Sequence, residues 1–249
     1  MTDLKEAPIT EHLAEIRYRI IFCLVIFSVF FLITWCWVEK ITELIIYPLK
    51  SVKPDIKLAA LSITETFFTS MKIACYAAFV LSLPVFIWQL WKFVEPGLKR
   101  KEKTIAKFLL IPSLFCFLVG GLFCYFIILP VSIDFLMTYM GNTFIPVFSF
   151  SGYVDFSIIF LVIMGLIFQV PLLMVFLDFV GIFPLEKMEK NRRVNIVIAF
   201  ILGAIFSPPD AFSQILVSVP LIFLIELGFL LIKFFRKKIH FFTNVNDES

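Results

Sequence analysis

The sequence predicts an all-α fold, a polytopic membrane protein with six transmembrane helices that form a single membrane domain over residues 1–249. Composition is the first reason: 61% of the residues are hydrophobic and 16% are charged, whereas soluble globular proteins carry about 25% charged residues. The second reason is that apolar runs recur along the chain, and a membrane-spanning helix needs about 20 such residues. The runs cover residues 20–38, 73–91, 108–133, 156–177, 194–206 and 211–232.

The first run follows a charged segment and is predicted to be a retained transmembrane helix. Residues 1–19 contain glutamate and aspartate as well as arginine, and they show no small-residue cleavage site. This pattern differs from that of a cleaved signal peptide. The second, third, fourth and sixth runs are likewise long enough to cross the hydrocarbon core, which is roughly 30 Å thick.

The fifth run, residues 194–206, is short. Its 13 residues cover only about 20 Å at roughly 1.5 Å per helical residue. Such a helix needs local thinning of the bilayer or cover from neighbouring helices. We count it as a transmembrane helix because the chain must return across the membrane before the sixth run begins.

The longest segment outside the runs, residues 39–70, is predicted to begin with a short helix in the membrane interface. Ile41, Leu44 and Ile45 repeat at helical spacing, and Pro48 is expected to end that helix. Thr64 can then cap the next helix, with a glutamate favourably placed in the first turn. Prolines inside four runs are expected to bend their helices, and bent helices can enclose a concave bundle: Pro84, Pro112, Pro171 and Pro220.

Lysine and arginine are distributed unevenly between the two ends of the runs. Four segments hold 17 of the 22: the N-terminus, residues 92–107, residues 187–193 and residues 233–238. The other 5 lie in or beside the first loop on the opposite side. Because cytoplasmic loops carry an excess of basic residues, both termini are predicted to be cytoplasmic. The basic residues are dispersed over short segments, which argues against a nucleic-acid-binding surface.

Cysteine and histidine give no sign of metal, cofactor or nucleophile chemistry. The 5 cysteines lie in apolar runs without paired spacing, and the 2 histidines lie in water-facing segments. No run holds a histidine or an aspartate pair, so neither an enzyme activity nor a cofactor is predicted. A secondary transporter of a small solute stays open as the alternative function, although the sequence lacks the repeat symmetry typical of such transporters.

A few polar residues lie where the membrane makes them costly. In residues 205–214, IFSPPDAFSQ, two prolines favour a turn, and Asp210 can cap the sixth helix with Gln214 one turn further on. Glu226 lies in the body of the sixth run, where an ionised side chain costs about 2.5–3.5 kcal/mol unless it is protonated, paired or solvated. Gln169 is a less costly polar residue at comparable depth in the fourth run. These residues indicate a polar spot inside the bundle or at a contact with another membrane helix.

Several glutamates lie among basic residues on the predicted cytoplasmic side. Glu15 precedes the first run, and Arg19 lies one helical turn after it, so the two side chains can simply form an ion pair. Glu95 and Glu102 lie within residues 92–107, which hold 6 basic residues. Alternatively, carboxylates held among cations stay ionised and can together accept the guanidinium groups of a partner.

The motifs of this chain resemble those of the TatC family, the six-span subunit of the twin-arginine protein translocase. HLAEIRYR precedes the first run, FVEPGLKRKE follows the second, and SPPDAFSQ lies between the fifth and sixth runs, with VPLIFLIELG after it. The proline-proline-aspartate motif with its Ser-Gln is the most specific of them. The resemblance extends from His12 to Phe235 and implies that the fifth and sixth spans are short.

The resemblance implies a function in protein export. Members of the TatC family recognise signal peptides that carry consecutive arginines. Together with single-span membrane proteins of the TatA and TatB type, they move folded proteins across the membrane, using the proton-motive force. The resemblance therefore implies a location in the cell inner membrane, with an organellar membrane as the other possibility, and self-association in a larger complex.

The family motifs also imply roles for individual residues. Signal-peptide contacts on the cytoplasmic side would come from Glu15, Arg17, Phe93, Pro96 and Glu102. Opposite-side positions on which the family's function depends match Pro48 and Asp210, and the region where partner helices dock matches Gln214, Glu226 and Gln169. The chain departs from the family at the last of these, because family members commonly carry glutamate there. A titratable group is therefore absent at that point of the concave surface.

Overall fold

The computed structural model describes residues 9–94, 100–139, 148–207 and 210–247; among these, the side chains of 9–14, 94, 100–107 and 238–247 are not described. The described chain is almost wholly helical, and a π-helical turn, Cys124–Ile128, joins α4 to α5. The helices in chain order are α1 Ile9–Cys36, α2 Val38–Val52, α3 Glu65–Val94, α4 Arg100–Phe123, α5 Leu129–Tyr139, α6 Phe150–Ile167, α7 Val170–Val180, α8 Leu185–Lys190, α9 Arg192–Phe206 and α10 Ala211–Asp247.

Five described stretches are long and apolar enough to cross a membrane, by length and composition. They are Glu15–Cys36, Glu65–Phe93, Phe108–Tyr139, Phe150–Val180 and Ala211–Lys237. Each contains most or all of one predicted run and extends beyond it, because helices continue into the charged residues that reach the interface. The remaining predicted span is α9, whose 15 residues cover only about 22 Å. It packs against α10, so a neighbouring helix covers part of this short span.

The two sides of the bundle can be told apart by contacts between helix ends. Phe108 near the start of α4 contacts Phe235 in α10, with ring centroids 6.2 Å apart. At the other side, Phe135 in α5 stacks on Phe212 at the start of α10, at 3.8 Å. The first side carries the basic segments and is called the basic side below; the other is called the opposite side. The helices thus alternate in direction as the charge distribution predicts.

Two clusters of buried apolar side chains hold the helices together. The larger one joins α2, α3, α5, α6, α9 and α10 with the π-helical turn, and Phe160 and Met164 lie at its centre. The smaller one lies at the basic side and joins α4, α7, α8 and α10, with Phe229 and Ile232 fully buried. By contrast, α1 packs mainly against α3, and apolar side chains such as Leu32 point outward, as suits contact with lipid.

The interface helix α2 continues past Pro48, so the prediction that this proline ends the helix is wrong. Proline has no N–H and therefore leaves the carbonyl four residues earlier, that of Leu44, without its helical donor. The Tyr125 hydroxyl donates to this carbonyl at 2.8 Å, and the Tyr153 hydroxyl donates to the neighbouring Ile45 carbonyl at 2.7 Å. Since the Tyr125 hydroxyl satisfies the carbonyl that Pro48 leaves without a donor, the helix runs on to Val52.

At the opposite side, Glu65 ties the first loop to the start of α6. Helix α3 begins at this residue, as predicted. Its carboxylate accepts hydrogen bonds from the Leu61 amide at 2.5 Å, the Ser149 hydroxyl at 2.7 Å and the Ser151 amide at 2.8 Å. A single parallel backbone bridge between Ala59 and Ser149 adds to this connection. The loop is therefore fixed at both the backbone and the side-chain level.

Candidate functional site

At the basic side, Arg19 joins α1 to α3. Its Nη1 donates to Oε1 of Gln89 at 3.2 Å and to the Gln89 backbone carbonyl at 3.4 Å. Its Nη2 donates to the Lys92 backbone carbonyl at 3.2 Å and to Oε1 of Glu15. The side chain of Arg19 is 16% exposed and that of Glu15 is 37% exposed. The ion pair that the sequence allows is therefore formed, and its arginine also holds the two helices together.

An apolar groove opens beside this cluster, between α1 and α3. Its volume is about 610 Å³, and apart from Arg19 and Gln89 its lining is apolar or weakly polar. Along α1 it runs from Ile16 to Phe27, a length of roughly 16 Å at 1.5 Å per residue. Phe93, at the end of α3, lines the basic end of the groove. Glu15 is bonded to Arg19 of this lining, so its carboxylate lies at the mouth of the groove.

The other residues implied as signal-peptide contacts are one residue of α1 and two residues that follow the end of α3. Arg17 is exposed, two residues after Glu15 on α1. Pro96 lies outside the described residues. Glu102 lies in the first turn of α4, where the helix dipole favours a carboxylate, but its side chain is not among those described. The described side chains of the implied site are therefore those of Glu15, Arg17 and Phe93.

Asp210 and Gln214 shape the turn between α9 and α10 at the opposite side. The Ser213 amide donates to Oδ1 of Asp210 at 2.7 Å, so this aspartate caps α10. Gln214 Nε2 donates to the Phe200 carbonyl in α9 at 3.1 Å. One turn further along, the Ser218 hydroxyl lies 2.7 Å from the Gln214 carbonyl and 3.3 Å from the Ala199 carbonyl in α9. The polar side chains at the start of α10 thus face α9.

Glu226 forms an ion pair with Arg192, the first residue of α9, and the two side-chain atoms are 2.5 Å apart. Both side chains are about half exposed, and the Arg192 guanidinium also lies 5.2 Å from the Phe229 ring. Because α9 begins at Arg192, this pair is level with the basic end of α9. Pairing is one of the three ways in which the membrane cost of this glutamate can be relieved.

Gln169, at the break between α6 and α7, is hydrogen-bonded to α4. Its Oε1 accepts from the Ser113 hydroxyl at 2.7 Å, and its Nε2 donates to the Ser113 carbonyl at 3.0 Å. Both residues line a cavity of about 290 Å³ between α3, α4 and α7 whose other walls are apolar. An amide serves both bonds at once because it has a donor and an acceptor, whereas an ionised glutamate could only accept.

An ionic cluster at the basic side was not predicted from the sequence. Asp178, near the end of α7, has a side chain only 2% exposed and accepts from the Leu185 amide at 2.8 Å and from Arg236 Nε at 2.9 Å. Arg236 also donates to Glu186 at 2.5 Å, and this hydrogen bond lowers the pKa of the Glu186 carboxyl below its ordinary value. An acidic residue at the end of an apolar run was the available signal, but its partner lies 58 residues away.

Among the described residues, no group of three or more His, Cys, Asp or Glu side chains is arranged to hold a metal ion.

A protein-family model described as "Sec-independent protein translocase protein (TatC)" matches residues 11–220. The chain belongs to the TatC family. The matched residues include Glu15 on α1, Pro48 in α2 and the turn between α9 and α10.

Curated relatives and solved structures agree with this family. A TatC from Aquifex aeolicus is 35% identical over 93% of this chain and 97% of the relative, and one from Escherichia coli K12 is 31% identical over 93% and 90%. A crystal structure described as twin arginine translocase receptor TatC has 34% identity and a TM-score of 0.76, covering 90% of this chain and 98% of that chain. A second structure of that receptor, in DDM, has a TM-score of 0.77 at 34% identity, covering 88% and 98%.

Membership of the TatC family makes this chain a multi-pass membrane component of a protein translocase, not an enzyme. The six-helix arrangement predicted from the sequence agrees with the fold of the solved TatC structures. The alternative function, a secondary transporter of a small solute, is not supported, because the relatives named above are protein translocase proteins.

Proposed function

We propose that this TatC-family protein is the receptor for twin-arginine signal peptides in a Sec-independent translocase. It binds the peptide at the basic side, which faces the cytoplasm, and lies in the cell inner membrane. With single-span partners of the TatA and TatB type it exports folded proteins, using the proton-motive force, in a complex that holds more than one copy of the chain. The observation that carries the proposal is the Glu15 carboxylate at the mouth of an apolar groove.

The order of chemical groups along the groove matches that of a signal peptide. Such a peptide has a positively charged segment followed by about 7–15 apolar residues. The Glu15 carboxylate lies at the basic end of the groove, where it pairs with Arg19 of the lining, and apart from Arg19 and Gln89 the walls are apolar or weakly polar. Carboxylates bind guanidinium groups through paired, charge-assisted hydrogen bonds that a lysine cannot reproduce. A peptide with consecutive arginines would therefore enter with its charged end at Glu15 and its apolar segment in the groove.

Binding of synthetic signal peptides to the detergent-solubilised protein tests the receptor function. We expect wild-type protein to prefer an Arg-Arg peptide over its Lys-Lys counterpart, and rising salt to weaken binding. Glu15→Gln and Glu102→Gln should each weaken Arg-Arg binding by about 10- to 100-fold, the effect of losing a hydrogen bond to a charged group. The double change should cost little more than the worse single change if both carboxylates hold one peptide cooperatively.

Glu39→Gln is the matched control for these substitutions. Glu39 is exposed in the first turn of α2, at the opposite side, so its replacement removes the same charge far from the groove. Binding should be unchanged in this variant. Equal losses in all three variants would mean that net charge rather than a built site governs binding, and the receptor proposal would fail.

The docking of a partner helix is proposed for the region of α10 that holds Gln214 and Glu226, with Gln169 on the concave surface. Replacing Gln214 and Glu226 together by leucine is expected to reduce copurification of a TatB-type partner while the protein stays in the membrane. Both residues also bond to α9, so loss of that contact could produce the same result.

Arg192→Gln separates the two explanations, because it breaks the ion pair and leaves Glu226 in place. If Glu226 itself contacts the partner, copurification in this variant should match that of wild type. A loss as large as that of the double leucine variant would show that Glu226 acts through its ion pair with α9 and not by contacting the partner.

A further inference from the structure

Arg19 connects the two halves of the proposed recognition site. Glu15 lies on α1, whereas Phe93 lies at the end of α3 and the segment that contains Glu102 follows it. One Arg19 nitrogen contacts Glu15 and the Lys92 carbonyl, and the other contacts both oxygens of Gln89. With 16% of its side chain exposed, Arg19 is held inside the contact between the helices.

The end of α3 supplies acceptors that suit this arginine. The last carbonyls of a helix lack donors within the helix and carry the negative end of its dipole. Lys92 lies in the last turn of α3, and Arg19 satisfies its carbonyl at 3.2 Å. A guanidinium offers a planar fork of N–H donors, whereas a lysine ammonium is a point charge on a flexible stem. Arg19 makes four such contacts, to Glu15, Lys92 and both oxygens of Gln89, whereas a lysine has only three N–H donors.

We infer that Arg19 is a positioning residue for signal-peptide recognition: it orients the Glu15 carboxylate and fixes its distance from the α3 half of the site. The inference rests on the proposed receptor function and deepens it. Bidentate bonds to consecutive arginines require carboxylates at a fixed spacing, whereas attraction to a pair of lysines does not. Arg19 therefore contributes to the preference for Arg-Arg over Lys-Lys, in addition to affinity.

The test measures the dissociation constants of Arg-Arg and Lys-Lys peptides for the Arg19→Lys variant. We expect Arg-Arg binding to weaken by about tenfold while Lys-Lys binding changes less, so that the ratio of the two constants moves toward one. In a Glu15→Gln background the same change should add little, because Arg19 acts through Glu15. Gln89→Met, which removes one acceptor of Arg19 and keeps Arg19 and Glu15, should shift the ratio in the same direction.

Thr34→Val is the matched control. The Thr34 hydroxyl donates to the Ala74 carbonyl at 2.9 Å and so also bonds α1 to α3, but towards the opposite side. Both dissociation constants should stay unchanged in this variant. Equal weakening of both peptides by Arg19→Lys, or an undiminished effect in the Glu15→Gln background, would overturn the positioning role. A wild-type protein that does not distinguish the peptides would overturn the proposed function instead. Failure of the positioning role and failure of the receptor function therefore give different results.

Discussion

Replacing Arg236 by glutamine is expected to lower the free energy of unfolding by about 3 kcal/mol, the lower end of the range for breaking a buried ion pair. The change leaves the Asp178 carboxylate, with 2% of its side chain exposed, with the Leu185 amide as the one remaining hydrogen-bond partner of that side chain among the described residues. The lower end applies because the Arg236 side chain is itself 39% exposed and its charge is partly screened by solvent. Chemical denaturation of the protein in detergent, followed by circular dichroism, measures this loss.

Two further variants decide whether the buried carboxylate is the cause. Lys233→Gln breaks an ion pair with Glu189 whose side chains are 55% and 33% exposed, and it should cost about 0–1 kcal/mol. The double change Asp178→Asn with Arg236→Gln removes the uncompensated charge, so it should be more stable than Arg236→Gln alone. If Arg236→Gln lowers the free energy of unfolding no more than Lys233→Gln does, the ionic cluster does not stabilise the contact of α10 with α7 and α8.

The apolar runs predict the spans because a bilayer imposes one rule on every crossing segment, a length of about 20 apolar residues. The same rule explains why α9 could be counted as a span only from its place in the chain, since its 15 residues are too few to cross the hydrocarbon core unaided. Helix ends were predicted less well. Hydropathy marks the apolar part of a helix, whereas α1 and α10 continue through charged residues at the basic side.

What the sequence could not supply is the pairing of distant polar groups. Pro48 was expected to end α2 because the donors for the carbonyls near it, the hydroxyls of Tyr125 and Tyr153, come from residues 81 and 108 positions away from their acceptors. Likewise, the spacing of Glu15 and Arg19 predicts their ion pair, but the contact of Arg19 with Gln89 joins residues 70 positions apart. Periodicity and spacing report on neighbours within one helix, so contacts between helices stay invisible to them.

Replacing Gly203 by alanine is expected to lower the free energy of unfolding by about 1–3 kcal/mol, the usual range for overpacking a well-packed contact. A Cβ at this position of α9 would lie 2.0 Å from the Ser218 hydroxyl and 3.0 Å from the Gln214 backbone carbonyl in α10. The Ser218 hydroxyl must therefore move. It then loses its 3.3 Å hydrogen bond to the Ala199 carbonyl. Close approach of two membrane helices depends on small residues in this way.

Gly121→Ala is the matched control, because a Cβ at Gly121 in α4 meets nothing within 4 Å. It should be neutral or slightly stabilising, since alanine favours a helix over glycine by about 1 kcal/mol. A second comparison adds Ser218→Ala to Gly203→Ala, which removes the atom of closest contact. The two changes should together cost less than the sum of the single changes, because the first clash no longer exists once the hydroxyl is gone. Additive losses, or equal changes in stability at Gly203 and Gly121, would show that the contact between α9 and α10 does not set the effect.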